Sequence, residues 1–455
     1  MSLDKEIQCS IDFLNNYIDN KLDIETSATH LAKNLKLIRK EDEDKFLELL
    51  KKLPNDIFGE VVLELPDYYI KDIVQQVPKE QFKEAIEELE SDDATDLIQD
   101  IEDIDKDKAK EILGTLDEED QEEIKRLRKY SEEQAGAHMQ TEVFKAFYDE
   151  KIQDALSRLR RDKQKGELEN IHHLFIVDSL GRLMFSISLE DLILFDFSKT
   201  FEEELKNRED EFQPKYIKDD ESIEDAVHIF EDFDLSALPV VDYNNKLIGR
   251  ITADDIHDFI QESATEQIYG LAGVDEEAEH DESIKEAGKS RASWLFVNLI
   301  TALFASLVIG LFDHTIESFV ALAVLMPIVA SMGGNAGTQT LTIMVRQLAL
   351  GEVDFKNAKD AIKKELILAF SNGVIFGVLM GLIAFFWFKD IRLSLVISTS
   401  MLINLFSAGL TGATIPLLLK KLGIDPAVGS TVLLTTVTDV VGFFSFLGLA
   451  TLVLL

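Results

Sequence analysis

The stretch TVLLTTVTDVVGFFSFLGLATLVLL, residues 431–455, is long and apolar enough to cross a bilayer as one helix, yet it contains Asp439. An aspartate near a bilayer centre costs roughly 2.5–3.5 kcal/mol on insertion scales, so such residues usually mark ion or proton pathways. Thr435 and Thr431 precede it by one and two helical turns on the same face. A carboxylate and two hydroxyls offer hard oxygen ligands, which suit a hard cation. The alternative is a buried polar residue that holds neighbouring helices together.

Four more apolar stretches precede this one. The five predicted spans cover approximately residues 293–312, 318–345, 366–388, 393–419 and 427–455. The connection between the second and third spans is rich in Lys and Arg, and the connection between the first and second has neither. By the positive-inside rule we expect a multi-pass protein of the inner or plasma membrane with a cytoplasmic N-terminus. An odd number of spans then puts the C-terminus on the extracytoplasmic side.

The charge is distributed very unevenly along the 455 residues. Of the 46 basic and 85 acidic residues, ten and nine lie after residue 290, which leaves the first 290 residues with a net charge of −40. Phosphate contacts require Lys and Arg, so this acidity argues against nucleic acid as a partner. It favours cations, although most of these carboxylates are expected to be solvated surface groups.

The first acidic segment is a helical repeat with a period of twelve residues. Its units start at Leu53-Pro54, Leu65-Pro66, Val77-Pro78 and Leu89-Glu90 and, after a slip of three residues, at Ile104-Asp105 and Leu116-Asp117. Each unit begins with a proline or an acidic residue and continues as a short amphipathic helix, as in VPKEQFKEAIEE. Short helices of this kind bury their apolar faces by stacking into a superhelical array. An irregular bundle is the alternative.

Two strand-turn-strand-helix units follow, at residues 171–194 and 235–260. Each has an apolar strand that ends in Asp, a turn containing Gly or Asn, a second strand and a helix start. The helix starts are Ser188-x-x-Asp191 and Thr252-x-x-Asp255. This tandem pattern resembles a pair of CBS domains. Such pairs often bind adenine nucleotides, so ATP is a candidate ligand, and a purely structural pair is the alternative.

The second predicted span contains the glycine-rich stretch LMPIVASMGGNAGTQT, residues 325–340. Adjacent glycines at Gly333 and Gly334 expose the backbone and permit a departure from regular helix. At membrane depth, irregular backbone is tolerated where it is buried in protein or lines a wet cavity. Asn335 and Gln339 lie on one helical face, which favours a pore lining, with close helix packing as the alternative.

At these two membrane segments the chain resembles the MgtE family of magnesium channels. The family signature Pro-x6-Gly-Gly-Asn-x-Gly-x-Gln is present as Pro327, Gly333, Gly334, Asn335, Gly337 and Gln339. The Thr-x-x-Asp-x-x-Gly element of the last helix is present as Thr436, Asp439 and Gly442. The resemblance implies five regions in order: a superhelical N domain (1–130), two CBS domains (131–199 and 200–262), a connecting or plug helix (263–290) and a pore domain of five helices (291–455). The expected fold is therefore multidomain, with all-α, α/β and transmembrane helical parts.

The resemblance also implies a homodimer whose pore lies on the dimer axis, with Asp439 contributed by each subunit. Mg²⁺ gives up its water reluctantly and is usually held by one or two carboxylates, which a facing pair of aspartates would supply. Backbone and hydroxyl oxygens would set the size of the site. The candidate pore ligands are Asp439, Thr435, Thr431, Gly333, Gly334 and Asn335.

Gating by intracellular Mg²⁺ is a further property that the resemblance implies. Facing acidic surfaces repel each other within a Debye length of about 8 Å. Bound Mg²⁺ would remove this repulsion, compact the cytosolic part and draw the connecting helix into a closed state. The sensor positions of the family correspond best to Asp92, Asp93, Asp96, Asp234, Asp255, Asp258 and Glu266.

The resemblance therefore implies Mg²⁺ uptake through a lipid-embedded homodimer, with Mg²⁺ as both cargo and regulator. No P-loop motif is present, so we expect no ATP hydrolysis and no enzymatic activity. One alternative is an ion-coupled carrier for Mg²⁺, Co²⁺ or Ni²⁺ in which Asp439 relays protons. The other alternative is a membrane-anchored CBS sensor that transports nothing.

Overall fold

The computed structural model describes residues 3–19, 26–166, 168, 171–274 and 284–455. The chain divides into two compact units, Met1–Ile260 and Gln261–Leu455. The first unit contains an all-helical segment followed by two small three-stranded sheets, and the second contains the long apolar helices. The predicted multidomain fold class is thus confirmed, whereas the residue limits predicted for the separate domains stay predictions.

The helical segment of the first unit follows the predicted twelve-residue period. Its helices are α1 Leu3–Ile18, α2 Ala28–Arg39, α3 Glu43–Leu50, α4 Asn55–Leu63, α5 Asp67–Gln76, α6 Lys79–Glu88, α7 Ser91–Ile104, α8 Lys106–Leu113 and α9 Glu118–Leu127. The N-cap residues of α4 to α9 are Pro54, Pro66, Pro78, Glu90, Asp105 and Asp117, as predicted. The three prolines adopt φ of −57°, −59° and −62° with ψ of 145°, an extended conformation that ends one helix and starts the next. The slip of three residues is absorbed by α7, which has 14 residues.

The apolar faces of these helices share one core. Phe46, Phe58 and Phe82 are fully buried in it, and the rings of Phe58 and Phe82 meet edge to face at 5.7 Å. Burial of each such side chain contributes roughly 1.5–3 kcal/mol, which no single ten-residue helix gains alone. Stacking is therefore what makes the short helices stable.

The two sheets repeat one topology. The elements are β1 Lys145–Phe147, α10 Ile152–Lys165, β2 His173–Val177, β3 Leu183–Ser188, α11 Leu189–Leu192, α12 Phe201–Leu205, β4 Ile217–Lys218, α13 Ile223–Phe233, β5 Ala237–Val241, β6 Leu247–Thr252 and α14 Ala253–Ala272. The strand orders are β1-β2-β3 and β4-β5-β6, each with one parallel and one antiparallel pair. Both predicted hairpins are confirmed. Asp178 and Asp242 hold the two turns, because each carboxylate accepts two backbone N–H groups of its own turn.

The second unit contains the end of α14 and the long apolar helices. These are α15 Ile284–Gly310, α16 Asp313–Ser318, α17 Ala321–Ala349, α18 Ala358–Phe388, α19 Ile391–Lys421 and α20 Ser430–Leu454. Five of them are long and apolar enough to cross a membrane: α15 (over Arg291–Gly310), α17, α18, α19 and α20. The five predicted spans are confirmed, and α18 begins eight residues before residue 366 because its charged first turns continue the helix beyond the apolar stretch. Of the predicted connecting helix 263–290, α14 reaches Ala272, and residues 275–283 lie outside the described residues.

Small residues bring the membrane helices close together. Gly377 of α18 lies against the carbonyl of Ser398, and a Cβ atom at this glycine would stand 2.8 Å from that oxygen. A Cβ atom at Gly412 of α19 would stand 2.7 Å from the carbonyl oxygen of Gly337 on α17. Helix association in membranes depends on such close contacts, since lipid supplies no hydrophobic drive between helices. The helix α19 is therefore the packing centre of this unit, with α17 and α18 held against it.

Candidate functional site

The three residues of the predicted polar stripe lie on α20. Asp439 and Thr435 are both partly exposed on this helix. The hydroxyl of Thr435 donates to the carbonyls of Thr431 and Val432 at 3.0 and 3.1 Å. Because its proton is used within the helix, its oxygen keeps lone pairs that can accept a hydrogen bond or contact a cation. Asp439 and Thr435 together offer a carboxylate and a hydroxyl oxygen one turn apart.

Thr431 has a different contact. Its hydroxyl donates to the carbonyl of Leu271 at 2.7 Å, so it binds the last turn of α14 to the first turn of α20. Beside it, a Cβ atom at Gly270 would lie 3.1 Å from the Cβ of Ala427. The helix α14 therefore ends directly on the start of the helix that carries Asp439. The role of Thr431 as a pore ligand stays a prediction, and the observed contact assigns it a place in this junction.

The glycine-rich stretch does not interrupt its helix. The helix α17 runs without a break from Ala321 to Ala349, so the expected departure from regular helix is wrong. Gly333 instead accommodates the amide of Asn404, and Gly337 accommodates Leu434 at 2.8 Å from where its Cβ would stand. These glycines thus serve close helix packing, the alternative considered from the sequence.

The opposite side of α17 is polar and open. Ser331, Asn335 and Gln339 recur every four residues, and all three are exposed in the single chain. Gly334 adds open space, because nothing lies within 4 Å of where its Cβ would be. Asn335 makes a long contact of 3.4 Å to the Ser331 hydroxyl. The stripe therefore presents amide and hydroxyl groups on the side of α17 that the neighbouring helices leave uncovered.

A buried carboxyl group near this helix was not predicted. Glu365 of α18 is 6 % exposed, and the hydroxyl of Thr340 on α17 donates to its Oε2 atom at 3.0 Å. The sequence places Glu365 directly after Lys363 and Lys364, which gave it the appearance of a solvated helix end. Its burial depends on the packing of α17 and α19 against α18, which no local pattern reveals.

Four of the predicted sensor residues come together in the first unit. Asp92 and Asp93 start α7, and Asp255 and Asp258 lie in the first turns of α14. We call these four side chains the acidic cluster. Burial and the neighbouring carboxylates raise the pKa of Asp92 well above its usual range and raise the pKa of Asp93 to about 7, with Asp255 the leading charge for both. Burial likewise raises the pKa of Asp255 and Asp258.

Hydrogen bonds from the second sheet fix one member of the acidic cluster. Asp255 Oδ2 accepts the backbone N–H of Thr252 at 3.1 Å, its hydroxyl at 2.6 Å and the amide of Gln140 at 3.3 Å. Arg250, 2 % exposed, donates to Gln140 at 3.2 Å and lies 3.5 Å from Glu90. Burial raises the pKa of Glu90 to about 7 in spite of the Arg250 charge. The acidic cluster is thus hydrogen-bonded to a polar network in which the acidic groups outnumber the one cation, Arg250.

The other three predicted sensor residues are exposed. Asp96 lies on the outer face of α7, Asp234 ends α13 with a left-handed φ of 49°, and Glu266 lies on the part of α14 in the second unit. The charges of Glu60, Glu64 and Asp254, which the sequence did not single out, act on the acidic cluster. Within the described ranges, no three His, Cys, Asp or Glu side chains are arranged to chelate a metal ion directly. The donor set suits a hydrated dication, which needs only one or two carboxylates.

Three family models match the chain. The model of the MgtE divalent cation transporter covers residues 326–449, that of the MgtE intracellular N domain covers 29–133, and that of the CBS domain covers 210–262. The first of these contains both membrane motifs and Asp439. The second contains the helical repeat, and the third contains the second sheet together with Asp255 and Asp258.

Known proteins match over most of the chain. The magnesium transporter MgtE of Thermus thermophilus is 32% identical over 340 residues, which cover 73% of this chain and 72% of the relative. The transporter of the same name from Enterococcus faecalis is 32% identical over 334 residues, with coverage of 73% and 72%. Among solved structures, the cytosolic domain of the Mg²⁺ channel MgtE in complex with ATP is 27% identical with a TM-score of 0.47, and it covers 52% of this chain and 91% of that one. The soluble part of a magnesium transporter is 24% identical with a TM-score of 0.48, covering 58% and 100%. With its repeat, its paired sheets, its five spans and the family motifs in α17 and α20, the chain belongs to the MgtE family of divalent cation transporters.

Proposed function

We propose that the chain carries Mg²⁺ across a membrane as a homodimer, along a pathway lined by α17 and α20. The observation that carries this proposal is the exposed polar face of α17, formed by Ser331, Asn335 and Gln339. Amide groups at membrane depth are costly against lipid and usually face a bundle interior or a wet cavity. A second copy of the chain would enclose this face together with Asp439 of α20.

Asp439 is the charged group of the proposed pathway. It is the one acidic residue of α20, and it has no Lys or Arg on its own helix. Two copies would supply a charge of −2 to a dication that keeps part of its water shell. The hydroxyl oxygen of Thr435, whose proton is used within the helix, would accept hydrogen bonds from that water. Charge and water acceptors together favour Mg²⁺ over monovalent ions.

Cytosolic Mg²⁺ is the proposed gating ligand. Without it, Asp92 and Asp93 on α7 face Asp255 and Asp258 on α14 with raised pKa values, which means that ionisation of the cluster is unfavourable. Mg²⁺ would compensate this charge and hold α7 against the start of α14. The last turn of the same helix contains Leu271, whose carbonyl accepts the Thr431 hydroxyl at 2.7 Å. We therefore propose that α14 conveys Mg²⁺ occupancy to α20 and closes the pathway.

The proposed orientation puts the acidic first unit in the cytoplasm and the end of α20 on the extracytoplasmic side. The loop between α17 and α18 and the end of α19 carry the basic residues that favour the cytoplasmic face. Uptake would then follow the membrane potential, which favours inward movement of a dication.

Flux measurements test the proposal. Purified protein in liposomes should conduct Mg²⁺, and Asp439→Asn should abolish most of this flux. Asp360→Asn is a matched control, because it removes one exposed acidic charge from the same unit at α18. Equal flux through the wild type and Asp439→Asn would contradict the pathway. Flux that ignores Mg²⁺ on the cytosolic face would contradict the gating.

The same preparation separates the two alternatives. Flux that stops when the proton gradient is collapsed at constant potential would indicate a proton-coupled carrier. The absence of any divalent cation flux would indicate a membrane-anchored sensor. We favour transport because helices that only anchor a sensor in the membrane gain nothing from an exposed polar face such as that of α17.

We also propose that the paired sheets bind an adenine nucleotide. One observation favours a ligand there: the ring atom Nδ1 of His173 is buried and, within the described residues, has no hydrogen-bond partner. His173 faces Ser188 across the β2–β3 ladder, and the Ser188 hydroxyl binds Asp191 at 2.7 Å. Calorimetric titration of ATP into the wild type and His173→Ala tests this, and an undiminished affinity of the variant would exclude His173 from the site.

A further inference from the structure

A buried amide lies between the two helices of the proposed pathway. Asn404 of α19 is fully buried, and its Nδ2 atom donates to the carbonyl of Val329 on α17 at 2.8 Å. Its Oδ1 atom is also buried and has no partner; in the described part of the second unit it is the one side-chain atom in this situation. A polar group in the middle of a helix bundle therefore makes one interhelical hydrogen bond and leaves one acceptor open.

The two neighbouring helices make room for this amide with glycines. A Cβ atom at Gly442 of α20 would stand 2.7 Å from Nδ2 of Asn404, and a Cβ atom at Gly333 of α17 would overlap the same amide. The side chain of Asn404 thus fills the space of two missing methyl groups, one on each helix. Both glycines belong to the motif segments, and neither could carry a side chain without moving the amide.

Stability does not explain the choice of asparagine at this position. The net gain from one hydrogen bond is no larger than the cost of leaving a buried acceptor unpaired. A leucine has the same branching and the same number of side-chain heavy atoms and would avoid the unpaired acceptor, and apolar replacement of buried polar groups is often neutral or stabilising. What leucine cannot do is bind the Val329 carbonyl and so fix the position of α17 relative to α19.

The contact bears directly on the polar groups of the pathway. Gly442 lies one turn after Asp439 on α20, and Gly333 lies two residues before Asn335 on α17. Because each helix is rigid, a shift of α20 at Gly442 also moves Asp439, and a shift of α17 at Gly333 also moves Asn335. The amide of Asn404 therefore sets the distance between the Asp439 side and the Asn335 side of each subunit.

We propose that Asn404 is a positioning residue that sets the width of the pathway and thereby discriminates between hydrated divalent cations. The inference rests on the proposed transport function, since it concerns the same pathway. Mg²⁺ requires a tight octahedral water shell, whereas Ca²⁺ is larger and accepts irregular coordination. A pathway held at one width by a directional hydrogen bond can separate these ions. A pathway held by apolar packing alone would do so less well.

The test compares Mg²⁺ and Ca²⁺ flux through full-length protein in liposomes. Asn404→Leu keeps the branching and the number of side-chain heavy atoms, is somewhat bulkier, and removes the hydrogen bond. We expect its Ca²⁺ to Mg²⁺ flux ratio to rise about tenfold, equal to about 1.4 kcal/mol of lost discrimination. Ser400→Ala is the matched control: its buried hydroxyl lies one turn earlier and donates to the carbonyl of Val396 on its own helix at 2.7 Å. Its flux ratio should equal that of the wild type.

A second pair of variants keeps the asparagine and displaces it. Gly442→Ala must push the amide away and should raise the flux ratio in the same direction, whereas Gly448→Ala, with nothing nearer than 3.9 Å, should leave it unchanged. If Asn404→Leu and Gly442→Ala fold and keep the wild-type ratio, the inference is overturned. It is equally overturned if Asn404→Leu does not fold and Gly442→Ala shows the wild-type ratio. Failure of the wild type to carry Mg²⁺ would instead refute the proposed function.

Discussion

Binding of Mg²⁺ to the acidic cluster should release protons, and the pKa values of Asp93 and of its neighbour Glu90 set part of the amount. The pKa of Asp93 and that of Glu90 are both raised to about 7, chiefly by burial. At pH 7 each of these carboxyls is therefore about half protonated, so the two together hold about one proton. A dication favours the ionised forms, and we expect these two groups to contribute about one proton per Mg²⁺ bound at pH 7, besides what the more strongly shifted Asp92 releases. Near pH 9 both groups are already ionised, and release from them should vanish.

The sign of the pH dependence is fixed by the direction of these shifts. Acid competes with Mg²⁺ for the same carboxylates, so the apparent Mg²⁺ affinity should rise with pH through 7 and level off above it. In the absence of Mg²⁺ the raised pKa values also destabilise the folded first unit. This penalty is absent below the ordinary pKa values of 3.8 for Asp93 and 4.5 for Glu90, grows as pH rises, and is complete above about 7.

Titration calorimetry in buffers of different ionisation enthalpy measures the proton number directly. The variant Asp93→Asn should release about half a proton less per Mg²⁺ than the wild type at pH 7, because one of the two half-protonated carboxyls is gone. Asp103→Asn is the control, since it removes an exposed acid from the last turn of the same helix, α7. Any contribution of the pore is common to all three proteins. Binding heats that do not depend on the buffer, or equal proton release from Asp93→Asn and the wild type, would refute the reasoning.

Three further predictions concern single contacts. Thr431→Val should keep the maximal Mg²⁺ flux but weaken the inhibition of this flux by cytosolic Mg²⁺, because the hydrogen bond to the last turn of α14 is lost. A loss of flux at all Mg²⁺ concentrations would instead make Thr431 a pore ligand. Thr340→Val removes the hydroxyl that donates to the buried Glu365 carboxyl. The unfolding free energy of detergent-solubilised protein should fall by roughly 1–3 kcal/mol. An unchanged melting curve would contradict this prediction. Arg250→Met removes the cation beside Glu90 and should lower the unfolding free energy of the first unit by roughly 3–5 kcal/mol. Denaturant titration at pH 8 measures this change. A stabilised variant would show that the ion pair costs more free energy than it contributes.

The sequence predicts the helical repeat well because its boundaries have local causes. A proline such as Pro54 or Pro66 fixes its own φ and excludes helix from the residue before it, so the helix start is specified without help from the rest of the fold. The short parallel strands β1 and β4 are different. Strands of three and two residues are too brief to show an alternating pattern, and only pairing with β2 and β5 defines them.

The candidate site divides in the same way. Asp439 stands out in the sequence because any charge in an apolar stretch is conspicuous. Asn404 and Glu365 are polar residues whose importance depends on which distant backbone or side chain they meet, and their partners lie 75 and 25 positions away. Thr431 matched the helical face of Asp439, but its neighbour Leu271 is 160 positions distant. Periodicity identifies a face, and only the tertiary structure identifies what the face touches.

If α14 conveys the proposed Mg²⁺ signal, the angle between its two ends around the helix axis matters as well as its length. Asp255 and Leu271 are sixteen residues apart, about four and a half turns at 3.6 residues per turn, so they lie on nearly opposite sides of the helix. Inserting one residue between them would turn one end against the other by about 100°, while inserting seven would restore the alignment after about two turns. A single added residue should therefore disconnect Mg²⁺ sensing from α20 more completely than seven, although seven lengthen the helix far more. We therefore expect signalling along α14 to depend more on the rotational register of its two ends than on the length of the helix.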